Sequence, residues 1–300
     1  MAERKFEDKP AVRAEVPLLV GLVGPSSSGK TVSALRLATG MQRVTGGDIH
    51  LIDTEGKRSL HYAEHFKFRH IIFDAPFSPL DYLLAIEHAK KKGAKIVIVD
   101  SASHEHEGPG GVLEWHDRLT GELAEKWKTS RDSAQISAWA EPKAARRKLI
   151  NTVLQLGVSA IFCFRAKEKI KPVKGKAPAE LGFMPIGGEE WVYEMTMNCL
   201  LYPGSKGMPR WVTDKVGERQ IIKLPAQFRA LFQPENKQLD EEIGQRMAEW
   251  AKGGAAPTKT IGDEAPESEP EPDDCAHPEG FAEDGSGARS CIHCGAIEQS

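Results

Sequence analysis

The eight residues GPSSSGKT constrain the fold of this chain more than any other feature of its sequence. They match the pattern G-x-x-x-x-G-K-[ST], with the apolar run 18–23 (LLVGLV) before them and a helical pattern over 31–44 after them. Glycine lets the backbone turn tightly and point its N–H groups at phosphate oxygens, and the N-terminus of the helix adds a favourable dipole. The segment predicts a phosphate-binding loop, with a chance Gly/Ser-rich loop as the alternative. The predicted loop consists of Gly24, Pro25, Ser26, Ser27, Ser28, Gly29, Lys30 and Thr31.

Two side chains of this loop and one aspartate further along predict a site for ATP and Mg²⁺. Lys30 is expected to reach the β and γ phosphates, and the hydroxyl of Thr31 to ligate Mg²⁺. The apolar run 95–99 (KIVIV) ends at Asp100, where a carboxylate at the end of a strand would support the metal. The alternative for Asp100 is a cap of a helix or turn.

Apolar runs of strand length alternate with helical patterns, which predicts the class of fold. This alternation is typical of a mainly parallel α/β sheet with helices on both faces, and 40% hydrophobic residues are enough for a core. A period of two predicts a strand over 191–199, and a hairpin is expected from 210–214 and 219–224. The other strands are expected over 18–23, 49–52, 95–99 and 159–164, and the helices over 31–44, 79–92, 142–156 and 239–252.

The charge distribution divides the chain. Its 300 residues contain 40 Lys+Arg and 43 Asp+Glu, but residues 253–300 hold only 2 basic and 11 acidic residues. Subtraction leaves 38 basic and 32 acidic residues in a mildly basic body. The predicted organisation is a flexible arm (1–16), a nucleotide-binding domain (17–252), an acidic disordered linker (253–274) and a small tail (275–300).

Bulk composition excludes several classes of protein. No apolar run approaches the ~20 residues of a membrane span, so no membrane partner is expected. The charged start MAERKFEDKP lacks an apolar signal region, and five cysteines are too few for a disulfide scaffold. A cytoplasmic protein is therefore expected.

Hydrolysis of ATP also needs a group that orients or activates water. Many P-loop ATPases carry a glutamate for this purpose directly after the metal-supporting aspartate, but here Ser101 follows Asp100. The carboxylate must therefore come from elsewhere, and the candidate is Glu55 at the end of the second strand (LIDTEG). The alternative is a solvated loop glutamate. Asp53 in the same segment is either a capping residue or a group that hydrogen-bonds a ligand of the metal ion.

The order GPSSSGKT, IDTEG and IVIVDS resembles the RecA-like recombinase core. More closely, the chain resembles phage-encoded RecA-like ATPases of the AAA family, which include proposed single-strand annealing proteins. The features DTEG, DS-x-x-H-E and G-G-x-x-W carry this resemblance, at 53–56, 100–105 and 187–191, and it covers roughly residues 17–202. It implies that Glu55 activates the water, that the chain forms homo-oligomers, and that it serves phage or prophage recombination or replication in a bacterial host.

A basic segment, 165–176 (RAKEKIKPVKGK), follows the predicted strand 159–164. A flexible loop over 166–186 with this charge is suited to contact phosphates. The resemblance implies that the loop contacts single-stranded DNA and that Arg165 senses the γ-phosphate; the lack of aromatic residues argues against base stacking. The alternative is a solvated surface. The basic residues are Arg165, Lys167, Lys169, Lys171, Lys174 and Lys176.

Two histidines, one arginine and three tryptophans are the remaining side chains that could serve a site. His104 and His106 alternate on a segment that could bind a metal, although it has no established zinc spacing. The alternative is that the segment lies near the γ-phosphate or closes the site. Arg146 is expected on a solvated helix face. Trp127 and Trp139, together with Trp115, are expected to be packing residues.

The tail contains a C-x-H…C-x₂-C pattern that predicts a Zn²⁺ knuckle. His293 lies inside the second pair and could replace a ligand. The alternative is a disordered tail with incidental cysteines. The expected ligands are Cys275, His277, Cys291 and Cys294.

These features favour an ATPase that acts on single-stranded DNA. A second hypothesis is an ATP-switched adaptor that recruits a replication, recombination or packaging partner through its zinc tail. A small-molecule kinase is the third, but no arginine cluster typical of a lid and no acceptor site is evident in the sequence.

Overall fold

The structure is a computed structural model that describes Asp8, Pro10 and residues 16–172, 179–233, 237–253, 281–283 and 289–291. Its described residues belong to two compact units, within Met1–Pro257 and Thr258–Ser300. In the second unit, two short strands pair antiparallel (Phe281–Glu283 and Arg289–Cys291). The other predicted zinc ligands, Cys275, His277 and Cys294, lie outside the described residues, so the zinc site stays a prediction.

A single sheet of eight strands organises the first unit. The strand order is β3-β2-β4-β5-β1-β7-β8, with β6 paired to the far end of β5. Six neighbouring strands of this order run parallel (β3, β2, β4, β5, β1 and β7), while β6 and β8 are antiparallel to their neighbours. The strands are β1 (Leu19–Gly24), β2 (Asp48–Asp53), β3 (Arg69–Ile72), β4 (Ala94–Asp100), β5 (Ser159–Lys171), β6 (Ala179–Pro185), β7 (Met197–Leu201) and β8 (Pro209–Arg210).

Helices cover both faces of this sheet. Helices α1 and α9 lie on one face, and α2 and α6 on the other. The helices are α1 (Lys30–Thr45), α2 (Pro79–Lys91), α3 (His104–Glu107), α4 (Val112–Trp127), α5 (Arg131–Ala138), α6 (Ala140–Gln155), α7 (Glu190–Glu194), α8 (Val216–Ile221) and α9 (Glu241–Ala251). Two 3₁₀ turns, Arg58–Tyr62 and Ala226–Phe232, complete the fold. Among the described residues, no helix combines the length and apolar content needed to cross a membrane.

Glycines allow the closest helix contact in the core, between α1 and α9. A Cβ on Gly40 would lie 1.9 Å from the carbonyl oxygen of Glu241, and a Cβ on Gly244 would lie 2.1 Å from that of Leu37. Neither position can carry a side chain without separating the helices. Strand β1 is buried beneath this helix pair and leads directly into the phosphate-binding loop.

The predicted architecture is confirmed. The strands expected over 18–23, 49–52, 95–99 and 159–164 form the central part of the sheet, and the four expected helices are present. The mainly parallel α/β sheet, flanked by helices and with a phosphate-binding loop after β1, is a RecA-like P-loop NTPase fold.

Two elements differ from the sequence-based expectation. The strand predicted over 191–199 is wrong in its first half, because α7 occupies Glu190–Glu194 and β7 begins only at Met197. Helix formation buries Trp191 against Phe162, with 4.7 Å between the ring centroids. The hairpin predicted over 210–224 is also wrong: helix α8 lies there, and the antiparallel partner of β7 is β8.

The basic segment is ordered secondary structure over much of its length, so the prediction of a flexible loop over 166–186 is wrong for the described part. Strand β5 continues to Lys171 and pairs antiparallel with β6, which forms the β5–β6 hairpin. Residues 173–178, with Lys174 and Lys176, lie outside the described residues.

Candidate nucleotide-binding site

The phosphate-binding loop connects the end of β1 to the start of α1. Gly29 has a φ of 93°, a left-handed conformation that favours glycine, and helix α1 begins directly after it. The Lys30 Nζ donates hydrogen bonds of 2.8 Å to the carbonyl oxygens of Gly24 and Pro25. Burial lowers the pKa of Lys30. Its ammonium group is therefore held over the loop, where it can bind the terminal phosphates.

The predicted magnesium-binding pair is brought together. Thr31, in the first turn of α1, donates a hydrogen bond of 2.6 Å to Oδ2 of Asp100, the last residue of β4. A hydroxyl and a carboxylate oxygen are the hard ligands that Mg²⁺ takes, and bound phosphates supply the others. The residues present therefore fit this ion. Burial raises the pKa of Asp100 to about 6, because the carboxylate lies in a poorly solvated position.

This raised pKa predicts that Asp100 destabilises the protein in the absence of metal. The Asp100 carboxyl has a pKa of 3.8 in the unfolded chain and about 6 in the folded protein. The protein therefore loses stability as the pH rises from 3.8 to about 6, by about 1–3 kcal/mol in total. We expect Asp100→Asn to raise the free energy of unfolding by that amount at pH 8 in EDTA, and by progressively less toward pH 4. Thermal unfolding at both pH values measures this.

The exposed Asp74 offers a matched control for that variant. Asp74→Asn should leave the unfolding free energy nearly unchanged at both pH values. A less stable Asp100→Asn protein at pH 8 would contradict the prediction.

The predicted catalytic glutamate is bound by two arginines. Arg165 donates to Glu55 Oε1 from Nη2 (2.7 Å) and Nε (3.0 Å), and Arg58 Nη1 donates to Glu55 Oε2 (3.0 Å). Thr31, Glu55 and Asp100 line a common cavity of about 100 Å³. Sequence reasoning thus selected residues that meet in space, while the contact of Arg165 with Glu55 and the part of Arg58 were missed.

Asp53 fixes the segment that carries Glu55. Its carboxylate accepts hydrogen bonds from the backbone N–H groups of Glu55 (2.8 Å) and Ser59 (3.0 Å), from the Ser59 hydroxyl (2.5 Å), and it contacts His70 Nε2 (3.1 Å). Burial opposes its ionisation, but these hydrogen bonds outweigh burial and lower the pKa of Asp53. Of the two predicted roles, the geometry fits the capping residue.

A small polar network joins the ends of β2 and β4. The Ser101 N–H donates to Thr54 Oγ1 (2.8 Å), and His104 Nδ1 lies 2.8 Å from the same hydroxyl. The His104 ring stacks on Phe77, with 5.1 Å between the centroids. Burial lowers the pKa of His104, so the neutral ring can accept the Thr54 proton. The one sign of this network in the sequence is that the DTEG and DS-x-x-H-E segments are rich in polar side chains.

His104 and His106 lie on helix α3 and not on an extended chain. His106 Nδ1 contacts Arg146 Nη2 at 2.9 Å, and burial together with that guanidinium lowers the pKa of His106 to about 4. Across the residues that the structure describes, no group of three or more His, Cys, Asp or Glu could hold a metal ion. The metal-binding interpretation of these histidines therefore finds no support.

The expectation that Arg146 lies on a solvated helix face is wrong. Its side chain is 5% exposed and makes a bidentate ion pair with Glu105, which is 1% exposed, at 2.9–3.2 Å. Burial raises the pKa of Glu105, and Arg146 counteracts that effect. The pair ties α6 to α3, directly behind the polar network of the site.

The tryptophans are divided between packing and exposure. Trp139 stacks on His116 with 3.9 Å between the ring centroids, which confirms its packing role. Trp127, at the end of α4, is 47% exposed, so the packing interpretation is wrong there.

Three of the predicted DNA-contacting lysines occupy alternate positions at the end of β5. Lys167, Lys169 and Lys171 are all exposed, and alternate residues of a strand project to the same face. Lys167 Nζ contacts Glu107 Oε2 at 3.1 Å. Arg165 precedes them on the same strand, so one strand carries both the partner of Glu55 and the exposed lysines.

Comparisons with known proteins return distant structural matches. A KaiC-like protein from the hyperthermophilic archaeon Pyrococcus horikoshii matches with 16% identity and a TM-score of 0.34, covering 64% of this chain and 80% of that one. The genome packaging NTPase of Sulfolobus turreted icosahedral virus 2, in complex with ATP-gammaS, matches with 12% identity and a TM-score of 0.35, covering 80% and 88%. Neither a protein-family model nor a curated protein sequence matches the chain. The fold assignment therefore rests on the chain's own strand order and loop.

Proposed function

We propose that this chain is an Mg²⁺-dependent ATPase that acts on single-stranded DNA. The observation that carries the proposal is the convergence of Lys30, the Thr31–Asp100 pair and Glu55 on one edge of the sheet. Parallel strands direct their carboxyl ends to that edge, where α/β proteins bind ligands. The resemblance of its motifs to phage RecA-like ATPases supports a role in phage or prophage recombination or replication.

Each residue of the site has a distinct task in this proposal. The loop N–H groups and Lys30 bind the β and γ phosphates, and Thr31 and Asp100 hold Mg²⁺. The metal ion neutralises charge that develops on the phosphate oxygens. Glu55 orients the attacking water and accepts its proton, provided that Arg165 releases the carboxylate.

Arg165 thereby connects hydrolysis to the β5–β6 hairpin. While Arg165 binds Glu55 Oε1 and Arg58 binds Oε2, both carboxylate oxygens are engaged and Glu55 cannot serve as a base. A γ-phosphate is a stronger competitor for the guanidinium, because it carries more charge. Single-stranded DNA on the lysines of the same strand would bias that exchange, so we expect DNA to stimulate hydrolysis.

Replacing the three exposed lysines tests the DNA part of the proposal. We expect the triple variant Lys167→Ala, Lys169→Ala, Lys171→Ala to bind single-stranded DNA at least tenfold more weakly in 50 mM salt, because three phosphate contacts are lost. ATP hydrolysis without DNA should change little, and its stimulation by DNA should be lost. Fluorescence anisotropy over a salt series and a coupled ATPase assay measure both.

Three lysines between the end of α2 and the start of β4 provide the control. Lys90, Lys91 and Lys92 at the end of α2 are exposed, and their triple alanine variant should retain DNA binding. Equal DNA affinity for both triple variants and the wild type would remove the DNA part. An absence of Mg²⁺-dependent hydrolysis in the wild type, with and without DNA, would remove the enzymatic part.

The two arginines on Glu55 also favour a second candidate function, the ATP-switched adaptor. In that case the ion pairs persist with ATP bound, turnover is very slow, and the tail recruits a replication, recombination or packaging partner. Tight nucleotide binding with negligible turnover, and a partner lost on truncation after Lys252, would select this function.

A further inference from the structure

The start of helix α3 contacts both members of the Glu55–Arg165 ion pair through two consecutive residues. Ser103 Oγ, directly before the helix, accepts a hydrogen bond of 2.8 Å from the backbone N–H of Arg165. His104 Nδ1, in the next residue, lies 2.8 Å from the hydroxyl of Thr54, which directly precedes Glu55 in the chain. The same short segment therefore holds the backbone beside the carboxylate and the backbone of its arginine.

Buried contacts fix this segment in the fold. The Ser103 N–H donates to Ser101 Oγ (3.2 Å), which in turn donates to the carbonyl oxygen of Cys163 on β5 (3.3 Å). Both serines are buried, and further along α3 the ion pair of Glu105 with Arg146 ties the helix to α6. Because α3 cannot shift without breaking these contacts, it can serve as a fixed support for the catalytic segment.

The Thr54 hydroxyl has a single proton, and its surroundings direct that proton to His104. The hydroxyl oxygen already accepts from the Ser101 N–H (2.8 Å). The Ser101 carbonyl oxygen lies 3.1 Å away, but it accepts a shorter hydrogen bond from the Tyr82 hydroxyl (2.7 Å). Because burial lowers the pKa of His104, its ring is neutral and Nδ1 can accept the proton at 2.8 Å. A neutral ring with an accepting Nδ1 carries its own proton on Nε2.

We propose that His104 is a positioning residue for ATP hydrolysis, which acts through Thr54 on the backbone that carries Glu55. This role rests on the proposed function, because it concerns the water that Glu55 orients. When Arg165 leaves Glu55 for the γ-phosphate, the carboxylate loses one of its two arginines. The contacts of Asp53 and Thr54 then hold its backbone in place. Precise placement matters, because a shift of about 1 Å in a reacting group can cost about 10²-fold in rate.

Two substitutions of His104 separate the hydrogen bond from the packing of the ring. Phenylalanine keeps the stack on Phe77 but offers no acceptor for the Thr54 proton. Asparagine loses the ring but carries a carbonyl oxygen close to the position of Nδ1. We expect His104→Phe to lower kcat for ATP by about 10–100-fold with KM within about twofold of the wild type, and His104→Asn to keep kcat within about fivefold. A role in packing alone predicts the opposite order of the two variants.

A double-variant cycle and an NMR measurement test the same contact without relying on one substitution. The variant Thr54→Val, His104→Phe should hydrolyse ATP about as fast as Thr54→Val alone, because the contact is already absent. Heteronuclear NMR of isotope-labelled histidine in the wild type should show the His104 proton on Nε2. His88→Phe, at an exposed histidine near the end of α2, is the matched control and should keep the wild-type kcat.

The positioning role and the proposed function fail differently. A wild-type kcat in His104→Phe, a lower kcat in His104→Asn than in His104→Phe, or a proton on Nδ1 would overturn the positioning role alone. An absence of Mg²⁺-dependent hydrolysis in the wild type would overturn the proposed function, and the positioning role with it.

Discussion

Glu55→Gln is expected to reduce ATP turnover by about 10²–10⁴-fold while ATP still binds. Glutamine keeps the size of the side chain, and its single carbonyl oxygen can still accept from either Arg58 or Arg165, but it cannot accept the proton of the attacking water. The phosphate-binding loop and the Thr31–Asp100 pair are unchanged, so affinity for ATP should be retained. Single-turnover hydrolysis and titration with a fluorescent ATP analogue measure the two quantities separately.

Glu64 is a suitable control, because it is an exposed glutamate a short distance along the same segment. Glu64→Gln should hydrolyse ATP at the wild-type rate. Turnover of the Glu55→Gln protein within threefold of wild type would show that another group activates the water.

Arg146→Met is expected to lower the free energy of unfolding by about 3–5 kcal/mol. The substitution leaves the carboxylate of Glu105 buried, with its bidentate partner gone. Methionine preserves much of the apolar stem, so the loss reflects the charge and not a cavity. Urea denaturation at pH 7.5 measures it.

The neighbouring Arg147 is exposed, and Arg147→Met should change the unfolding free energy by less than about 0.5 kcal/mol. The double variant Glu105→Gln, Arg146→Met should recover part of the lost stability, because it removes the uncompensated charge. Similar stability of the two methionine variants would contradict a structural role for the buried pair.

Local signals in the sequence were sufficient for the P-loop and the central sheet. The loop pattern lies between an apolar strand and a helix, and the strand ending in Asp100 is buried from Ile96 onward. These features depend on neighbouring residues only. Parallel strands then bring Asp100 to Thr31 without further information, which is why this pair could be predicted.

The failures share a different cause, since each depends on contacts between residues distant in sequence. The alternation at Trp191 indicated a strand, but burial of its ring against Phe162 favours a helix. Glu218 resembles a turn residue in the sequence, yet it is buried in α8. Three hydrogen-bond donors from outside that helix satisfy its carboxylate. Arg146 resembles a solvated residue until Glu105 approaches from α3.

The pairing of β5 limits how the nucleotide site and the lysines can communicate. Up to Cys163 the strand is clamped between β1 and β4, with β1 pairing up to Arg165, and from Ala166 onward its partner is β6. Sliding along the strand axis would break both inner ladders, and a one-residue slip would exchange the two faces. The first part of β5 is therefore fixed in the sheet, and its last part belongs to the β5–β6 hairpin. We therefore expect movement of the β5–β6 hairpin to reach the nucleotide site as a bend between Arg165 and Ala166, at the residue that holds Glu55.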